Sequence, residues 1–85
     1  MQKSTLAELA VGARATIEQV TGERRLAVRL MELGLVPSTL VRLERKAPLG
    51  DPIELSIRGY DLSIRREEAE KIFVSRVDAA SEEAP

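Results

Sequence analysis

The chain has 85 residues, of which 44% are hydrophobic and 2% aromatic, and its 13 Lys and Arg residues nearly balance its 14 Asp and Glu residues. A chain of this length has room for one small domain, which buries only about 60% of the surface that its unfolded form exposes. The chain contains no Cys and no His. It therefore lacks disulfides, thiolate metal sites, Cys nucleophiles and the usual neutral-pH general base.

The chain carries no sign of an export signal or a membrane-spanning helix. Residues 1–5 are not followed by an apolar stretch, and no uninterrupted apolar run exceeds three residues. A spanning helix needs about 20 apolar residues, and an export signal needs a shorter apolar segment near the start. We therefore expect a cytoplasmic chain without direct membrane insertion.

A strand and a helix are the first predicted elements. Residues 13–18 alternate apolar and polar side chains, which predicts a strand with one buried face. Residues 23–33 predict a helix, because three leucines recur at i, i+4 and i+7 and form one apolar face. These leucines are Leu26, Leu30 and Leu33. The residues predicted to bound the helix are Thr21 or Gly22 at its start and Gly34 at its end, with Leu35 folding back on the last turn.

The same alternation predicts four further strands after the helix. The residues expected to face the core are Thr39, Val41 and Leu43, then Ile53, Leu55 and Ile57, then Leu62 and Ile64, with Ile72–Val77 as the last strand. A tight hairpin turn is predicted over residues 58–61, because they contain Gly and Asp. The charged residues 67–71 are long enough for one helical turn.

Five short strands, with one α-helix between the first two, predict a mainly β fold. Strands this short favour a small, strongly bent antiparallel barrel that closes its own edges. The domain is expected to span residues 1–77. Residues 78–85 are small, polar and acidic, and predict a disordered tail.

The residues that could support catalysis or metal binding are few. No His can activate a Ser, and no phosphate-binding loop of the nucleotide hydrolases is present. Glu67, Glu68 and Glu70 are expected to form a solvated face, and the body's loop aspartates, Asp51 and Asp61, to serve turns. We therefore predict that the chain is not an enzyme and has no tight metal site and no cofactor.

The basic residues are interleaved with glutamates, which predicts a mixed-charge surface instead of a nucleic-acid interface. Tyr60 and Phe73 are the body's aromatic residues, too few for a base-stacking platform. Val28 and Met31 lie off the leucine stripe of the predicted helix. They could leave an apolar strip for a partner.

Two segments together resemble the FeoA family of bacterial ferrous iron transport. They are Arg29–Pro37 (RLMELGLVP) and Ala47–Ile53 (APLGDPI). The similarity extends over about residues 5–77, because the flanking strands and the late segment 59–72 follow the family's order. Each motif alone is weak, but their order and separation are rather specific.

The resemblance implies an SH3-like barrel and a cytoplasmic accessory protein without a catalytic or iron-binding site. It also implies a partner, FeoB, the membrane ferrous iron transporter that bears a cytosolic GTPase domain. One residue departs from the family pattern: Ser38 stands where the family commonly has Gly. Because Ser rarely adopts a positive φ, we expect the turn before the second predicted strand to be altered.

A rigid barrel without reactive groups can regulate a transporter only by binding one conformation better than another. The predicted docking element is the loop of Pro48, Leu49, Gly50, Asp51 and Pro52, because an apolar tip held by two prolines loses little entropy on binding. The helix face with Arg29 and Met31 is the second candidate. The alternative for the loop is a structural corner without a binding role.

A rival hypothesis is a role in iron-dependent transcriptional regulation or nucleic-acid binding, because FeoA-like domains also resemble the SH3-like modules of iron-dependent repressors. The chain lacks the helix-turn-helix that such a repressor needs. No nucleic acid is therefore expected as a partner. A monomer is expected, because no large apolar patch demands self-association.

Overall fold

Six strands and two helices make up residues 4–77, which are the part of the chain that the computed structural model describes. The predicted tail, residues 78–85, lies outside this part. The strands are β1 (Ser4–Thr5), β2 (Arg14–Val20), β3 (Leu40–Lys46), β4 (Ile53–Ile57), β5 (Tyr60–Ile64) and β6 (Ile72–Arg76). The helices are α1 (Arg24–Glu32) and α2 (Arg66–Ala69), with 3₁₀ turns at Leu6–Glu8 and Pro48–Gly50.

All six strands form one antiparallel sheet in the order β1-β6-β2-β3-β4-β5. The register shifts between Ile17 and Gln19 in β2 and between Leu43 and Arg45 in β3. Such bulges bend a strand and increase its twist, so the sheet curls around the core. Strands β2 to β6 correspond to the five predicted strands, and α1 lies between the first two of these.

The sheet does not close on itself by strand pairing. Within residues 4–77, β1 pairs only with β6 and β5 pairs only with β4. The expectation of a barrel without open edges is therefore wrong in this respect. The very short β1 covers one end of the sheet, whereas all five residues of β5 lie at the other end.

The core consists of the inward residues of the strands, as the alternation predicts. Val41, Leu43 and all three isoleucine and leucine positions of β4 are buried, and Thr39 is buried beside them. Leu40, on the opposite face of β3, is exposed. The period-two pattern thus identified the buried faces of β3 and β4 correctly.

Helix α1 differs from the prediction in the residue that caps its start and in the leucine that is buried at its end. Its N-cap residue is Glu23, and not Thr21 or Gly22. Leu30 is buried and Leu26 packs on the core, but Leu33 is exposed because it lies beyond the last helical residue, Glu32. Leu35 takes the core position that Leu33 was expected to share.

The C-terminal end of α1 is closed by Gly34, as predicted. Gly34 has a φ of 110°, and the amide of Leu35 donates to the carbonyl of Leu30 at 3.2 Å. The hydroxyl of Tyr60 in β5 donates to the carbonyl of Leu33 at 2.6 Å. A Cβ on Gly34 would collide with that hydroxyl. The positive φ therefore favours glycine here, and a Cβ would force the Tyr60 hydroxyl to move.

Ser38 adopts a positive φ, a conformation that the sequence led us not to expect of a serine. Its φ is 75°. Its amide donates to the carbonyl of Ile17 at 2.7 Å, and the amide of Thr39 donates to the carbonyl of Val36 at 3.2 Å. These two hydrogen bonds hold the backbone in this conformation, so Ser38 is kept at a strained φ.

The predicted hairpin turn joins β4 to β5. Its two loop residues, Arg58 and Gly59, have φ values of 46° and 91°, which is the geometry of a two-residue hairpin with positive φ at both central positions. Tyr60 and Asp61, which the sequence places in the turn, are the first residues of β5. The charged segment before β6 forms the short helix α2.

Candidate functional site

The loop between β3 and β4 is closed by its own backbone. The amide of Ala47 donates to the carbonyl of Pro52 at 2.9 Å, and the amide of Gly50 donates to the carbonyl of Ala47 at 2.8 Å. The Asp51–Pro52 peptide bond is cis. The two prolines and these two bonds fix the loop as a short, defined projection.

Leu49 stands at the tip of this projection. Its side chain is 96% exposed, which confirms the predicted exposure, and its φ is 70°. A leucine at positive φ costs about 1–2 kcal/mol, and an exposed leucine gains nothing from burial. The free domain is therefore not stabilised by this residue. A strained, fully exposed apolar side chain on a fixed loop is a feature from which a binding role can be inferred.

Asp51 fastens the loop to α2. Its Oδ1 accepts from the amide of Arg66 at 3.0 Å and lies 3.9 Å from Nε of Arg65. Asp51 thus satisfies a free amide at the start of a helix, instead of serving only its own turn as the sequence predicts. Of the five loop residues predicted for docking, Asp51 has a clear structural task.

Glu68 in α2 is largely buried, so its expected place on a solvated face is wrong. Its side chain is 11% exposed and forms an ion pair with Arg29 of α1. Its other carboxylate oxygen accepts from the amide of Arg65 at 2.9 Å. Helix α2 packs against the 3₁₀ turn Leu6–Glu8, and Arg29 of α1 reaches Glu68 through the ion pair. The neighbours Glu67 and Glu70 are exposed, as predicted.

Arg29, a predicted docking residue, is therefore committed in part to the fold. One of its terminal nitrogens donates to Glu68, yet its side chain remains 59% exposed. A guanidinium has five N–H donors, so several remain for a further acceptor. Met31, the other predicted residue of α1, is half-buried and Val28 is exposed.

An open cleft of about 420 Å³ joins the two predicted docking elements. It lies between α1, the end of the 47–52 loop, the end of β5 and α2. Its lining residues are Arg29, Pro52, Ser63, Ile64, Arg65 and Glu68. The structure thus brings Arg29 and Pro52 to one surface. The sequence did not indicate this cleft, because Ser63 and Arg65 carry no motif and meet the others only in the folded chain.

Residues 4–77 contain neither a cluster of metal ligands nor a membrane-spanning helix. The acidic side chains there form no group of three or more that could hold a metal ion. No helix in this part of the chain is long and apolar enough to cross a membrane.

The chain was compared with known protein families and structures. The FeoA domain family matches residues 4–76. A protein of Porphyromonas gingivalis, described as an Fe(2+) transport protein A/Fe(2+) transporter FeoB fusion protein, is 35% identical over 80 residues, which are 94% of this chain and 10% of that protein. The chain therefore spans about a tenth of that relative.

Solved structures of FeoA proteins share the fold. The Chlorobium tepidum FeoA protein is 45% identical, with a TM-score of 0.80, over 86% of this chain and 70% of that one. The zinc-complexed FeoA of Stenotrophomonas maltophilia, described as an SH3 domain protein, is 34% identical, with a TM-score of 0.72, over 91% and 92% of the two chains. These likenesses confirm the predicted mainly β, SH3-like fold and the resemblance based on the two motifs.

Proposed function

The chain belongs to the FeoA family of ferrous iron transport, and from that premise we propose that it is a cytoplasmic accessory protein that regulates an FeoB-type transporter by docking to its cytosolic GTPase region. The fusion protein of Porphyromonas gingivalis supports this partner, because it joins an FeoA part and an FeoB part in one chain. Covalent linkage raises the effective concentration of two modules that bind each other. Where the FeoA and FeoB parts are separate chains, they must bind each other through a docking surface.

The observation that carries the proposal is Leu49. It is 96% exposed on a loop fixed by two backbone hydrogen bonds and two prolines. Such an element loses little conformational entropy when it binds, and burying a leucine contributes about 1.5–3 kcal/mol. We therefore assign the main contact to Leu49, with Pro48, Gly50 and Pro52 shaping the tip.

Regulation in this proposal is conformational and not chemical. The domain offers a preformed surface, so it stabilises whichever transporter state presents the complementary apolar pocket. A difference of 1.4 kcal/mol between two states changes their ratio about tenfold. Docking through one leucine and a few polar contacts is sufficient for that effect.

The charge arrangement favours a protein partner over nucleic acid. Arg42, Arg45 and Arg66 each form an ion pair with a glutamate. Tyr60 donates its hydroxyl to the backbone of Leu33, and Phe73 is half-buried. The chain has 13 Lys and Arg against 14 Asp and Glu, and the aromatic side chains of residues 4–77 form no base-stacking platform, so little in the described part attracts a polyanion.

The test uses two variants of this chain. Calorimetry measures the affinity of each variant for intact FeoB of the same organism, held in nanodiscs. Leu49→Asn removes the apolar tip, while Asn tolerates a positive φ and so keeps the loop. We expect a loss of affinity of about 10- to 150-fold, which corresponds to the burial of one leucine.

The matched control is Leu40→Thr, which removes another exposed leucine, 47% exposed on the outer face of β3, and puts a good strand former in its place. It is expected to bind like the unmodified chain. Wild-type affinity in Leu49→Asn would contradict the assignment of the loop. The absence of any binding by the unmodified chain would contradict the partner.

A further inference from the structure

Strand β5 presents an open edge. It pairs only with β4, in a register where Ile57 faces Tyr60 and Leu55 faces Leu62. In a two-residue hairpin the residues that flank the turn form a hydrogen-bonded pair, and bonded and non-bonded pairs alternate from there. The backbone groups of Asp61 and Ser63 therefore point away from β4, and no hydrogen bond within residues 4–77 satisfies them.

Of the devices by which proteins usually protect an edge, β5 has one, the exposed charge of Asp61. The strand contains no proline and no bulge, and its pairing with β4 is regular over all five residues. Asp61 and Ser63 are exposed. The edge is therefore accessible to another extended chain.

The charges at the ends of β5 disfavour a second copy of the same domain. Arg58 precedes the strand and Arg65 follows it, and both are exposed. Antiparallel pairing of two β5 strands centred on Leu62 would place Arg58 of one copy opposite Arg66 of the other, and pairing centred on Asp61 would place the two Asp61 carboxylates opposite each other. Like charges at such close positions are destabilising, whereas carboxylates at both ends of an added strand would be stabilising.

The cleft described above lies at the C-terminal end of this edge. Ser63 and Ile64 of β5 form part of its lining, together with Arg29 and Arg65. Arg29 donates to Glu68 but keeps exposed donors, and the Arg65 guanidinium is held only loosely, 3.9 Å from Asp51. Glu68 also lines the cleft and pairs with Arg29, but the lining holds two guanidiniums and one carboxylate, which favours a second carboxylate.

We propose that the β5 edge binds an extended acidic segment of the partner protein by strand addition. Backbone hydrogen bonds form at Asp61 and Ser63, and one acidic side chain enters the cleft between Arg29 and Arg65. This inference rests on the proposed function, because the segment is assigned to the same transporter that Leu49 contacts. It adds a second contact, which recognises backbone and charge instead of an apolar pocket.

The test compares two variants of one exposed residue against intact FeoB in nanodiscs. Ser63→Pro removes the outward amide and blocks strand addition, while the bonds to β4 are kept because that amide does not point toward β4. Ser63→Ala is the matched control and keeps the amide. We expect affinity to fall at least tenfold in Ser63→Pro and by a clearly smaller factor in Ser63→Ala, which removes only the hydroxyl that lines the cleft.

A second measurement does not depend on how Ser63→Pro folds. Hydrogen exchange of the unmodified chain, read by NMR, is expected to show fast exchange of the Asp61 and Ser63 amides in the free protein. Both amides should become at least tenfold slower in the complex with the soluble cytosolic region of FeoB. Added salt should weaken binding, and Arg65→Glu should weaken it more than the neutral Arg65→Gln.

The outcomes separate this inference from the proposed function. If Leu49→Asn weakens binding while Ser63→Pro binds normally and both amides stay unprotected, the strand addition is wrong and the docking loop stands. If the protection appears but Arg65→Glu binds as tightly as Arg65→Gln, the acidic character of the segment is wrong. If the unmodified chain does not bind FeoB, both proposals are overturned.

Discussion

Replacing Ser38 by glycine is expected to stabilise the domain. Ser38 lies between α1 and β3 with a φ of 75°, a conformation that glycine adopts freely and serine does not. Its amide donates to the carbonyl of Ile17 at 2.7 Å, a bond that glycine retains. The side chain is exposed, so its removal leaves no cavity. The substitution therefore changes the backbone strain and little else.

The magnitude follows from two opposing contributions. Relief of the left-handed strain contributes about 1–2 kcal/mol to the free energy of unfolding. The greater flexibility of glycine in the unfolded chain costs about 0.5–1 kcal/mol. The net gain lies between about 0 and 1.5 kcal/mol, and its centre of about 0.75 kcal/mol raises Tm of a domain of this size by about 3–6 °C.

Urea unfolding followed by circular dichroism measures this change directly, and a thermal scan gives the shift in Tm. Ser38→Ala is the control, because it removes the hydroxyl but keeps the Cβ. We expect Ser38→Ala to be no more stable than the unmodified chain. If Ser38→Gly is less stable than Ser38→Ala, the strain argument fails and the serine side chain must itself stabilise the turn.

Two further predictions concern the contacts of α1. Gly34→Ala should lower the free energy of unfolding by about 2–3 kcal/mol, because alanine is strained at a φ of 110° and its Cβ displaces the Tyr60 hydroxyl from its bond to Leu33. In a Tyr60→Phe background the cost should be smaller, and equal costs in a double-mutant cycle of urea unfolding would refute the steric part. Glu68→Gln should lower the free energy of unfolding by about 1 kcal/mol, because the ion pair with Arg29 is lost while an oxygen remains for the Arg65 amide. This loss should be smaller in 1 M salt, and an unchanged free energy of unfolding at low salt would show that the pair contributes nothing.

The parts of the fold that sequence predicted well depend on neighbouring residues alone. Alternation over β3 and β4 determines which side chains turn inward, and Gly34 is sufficient to end α1. Strand β1 escaped prediction because two residues show no period. It is a strand only through its pairing with β6, near the other end of the described chain.

The candidate site was predictable only in part, for the same reason. Two prolines and a glycine predicted the exposed tip at Leu49, because their effect on the backbone is local. The ion-pair partner of Glu68, Arg29 of α1, is distant in sequence. The bond from Arg66 to Asp51 and the cleft beside Ser63 likewise arise from tertiary packing.

The central claim is that the loop at Leu49 docks to the transporter, and a residue-resolved NMR titration tests it most directly. The ¹⁵N-labelled chain is titrated with the soluble cytosolic region of FeoB from the same organism, with GDP and then with a GTP analogue. We predict amide shifts at Leu49, Gly50 and Asp51 and along β5, with an affinity that depends on the nucleotide. Shifts confined to another surface, or no shifts at millimolar partner, would contradict the account.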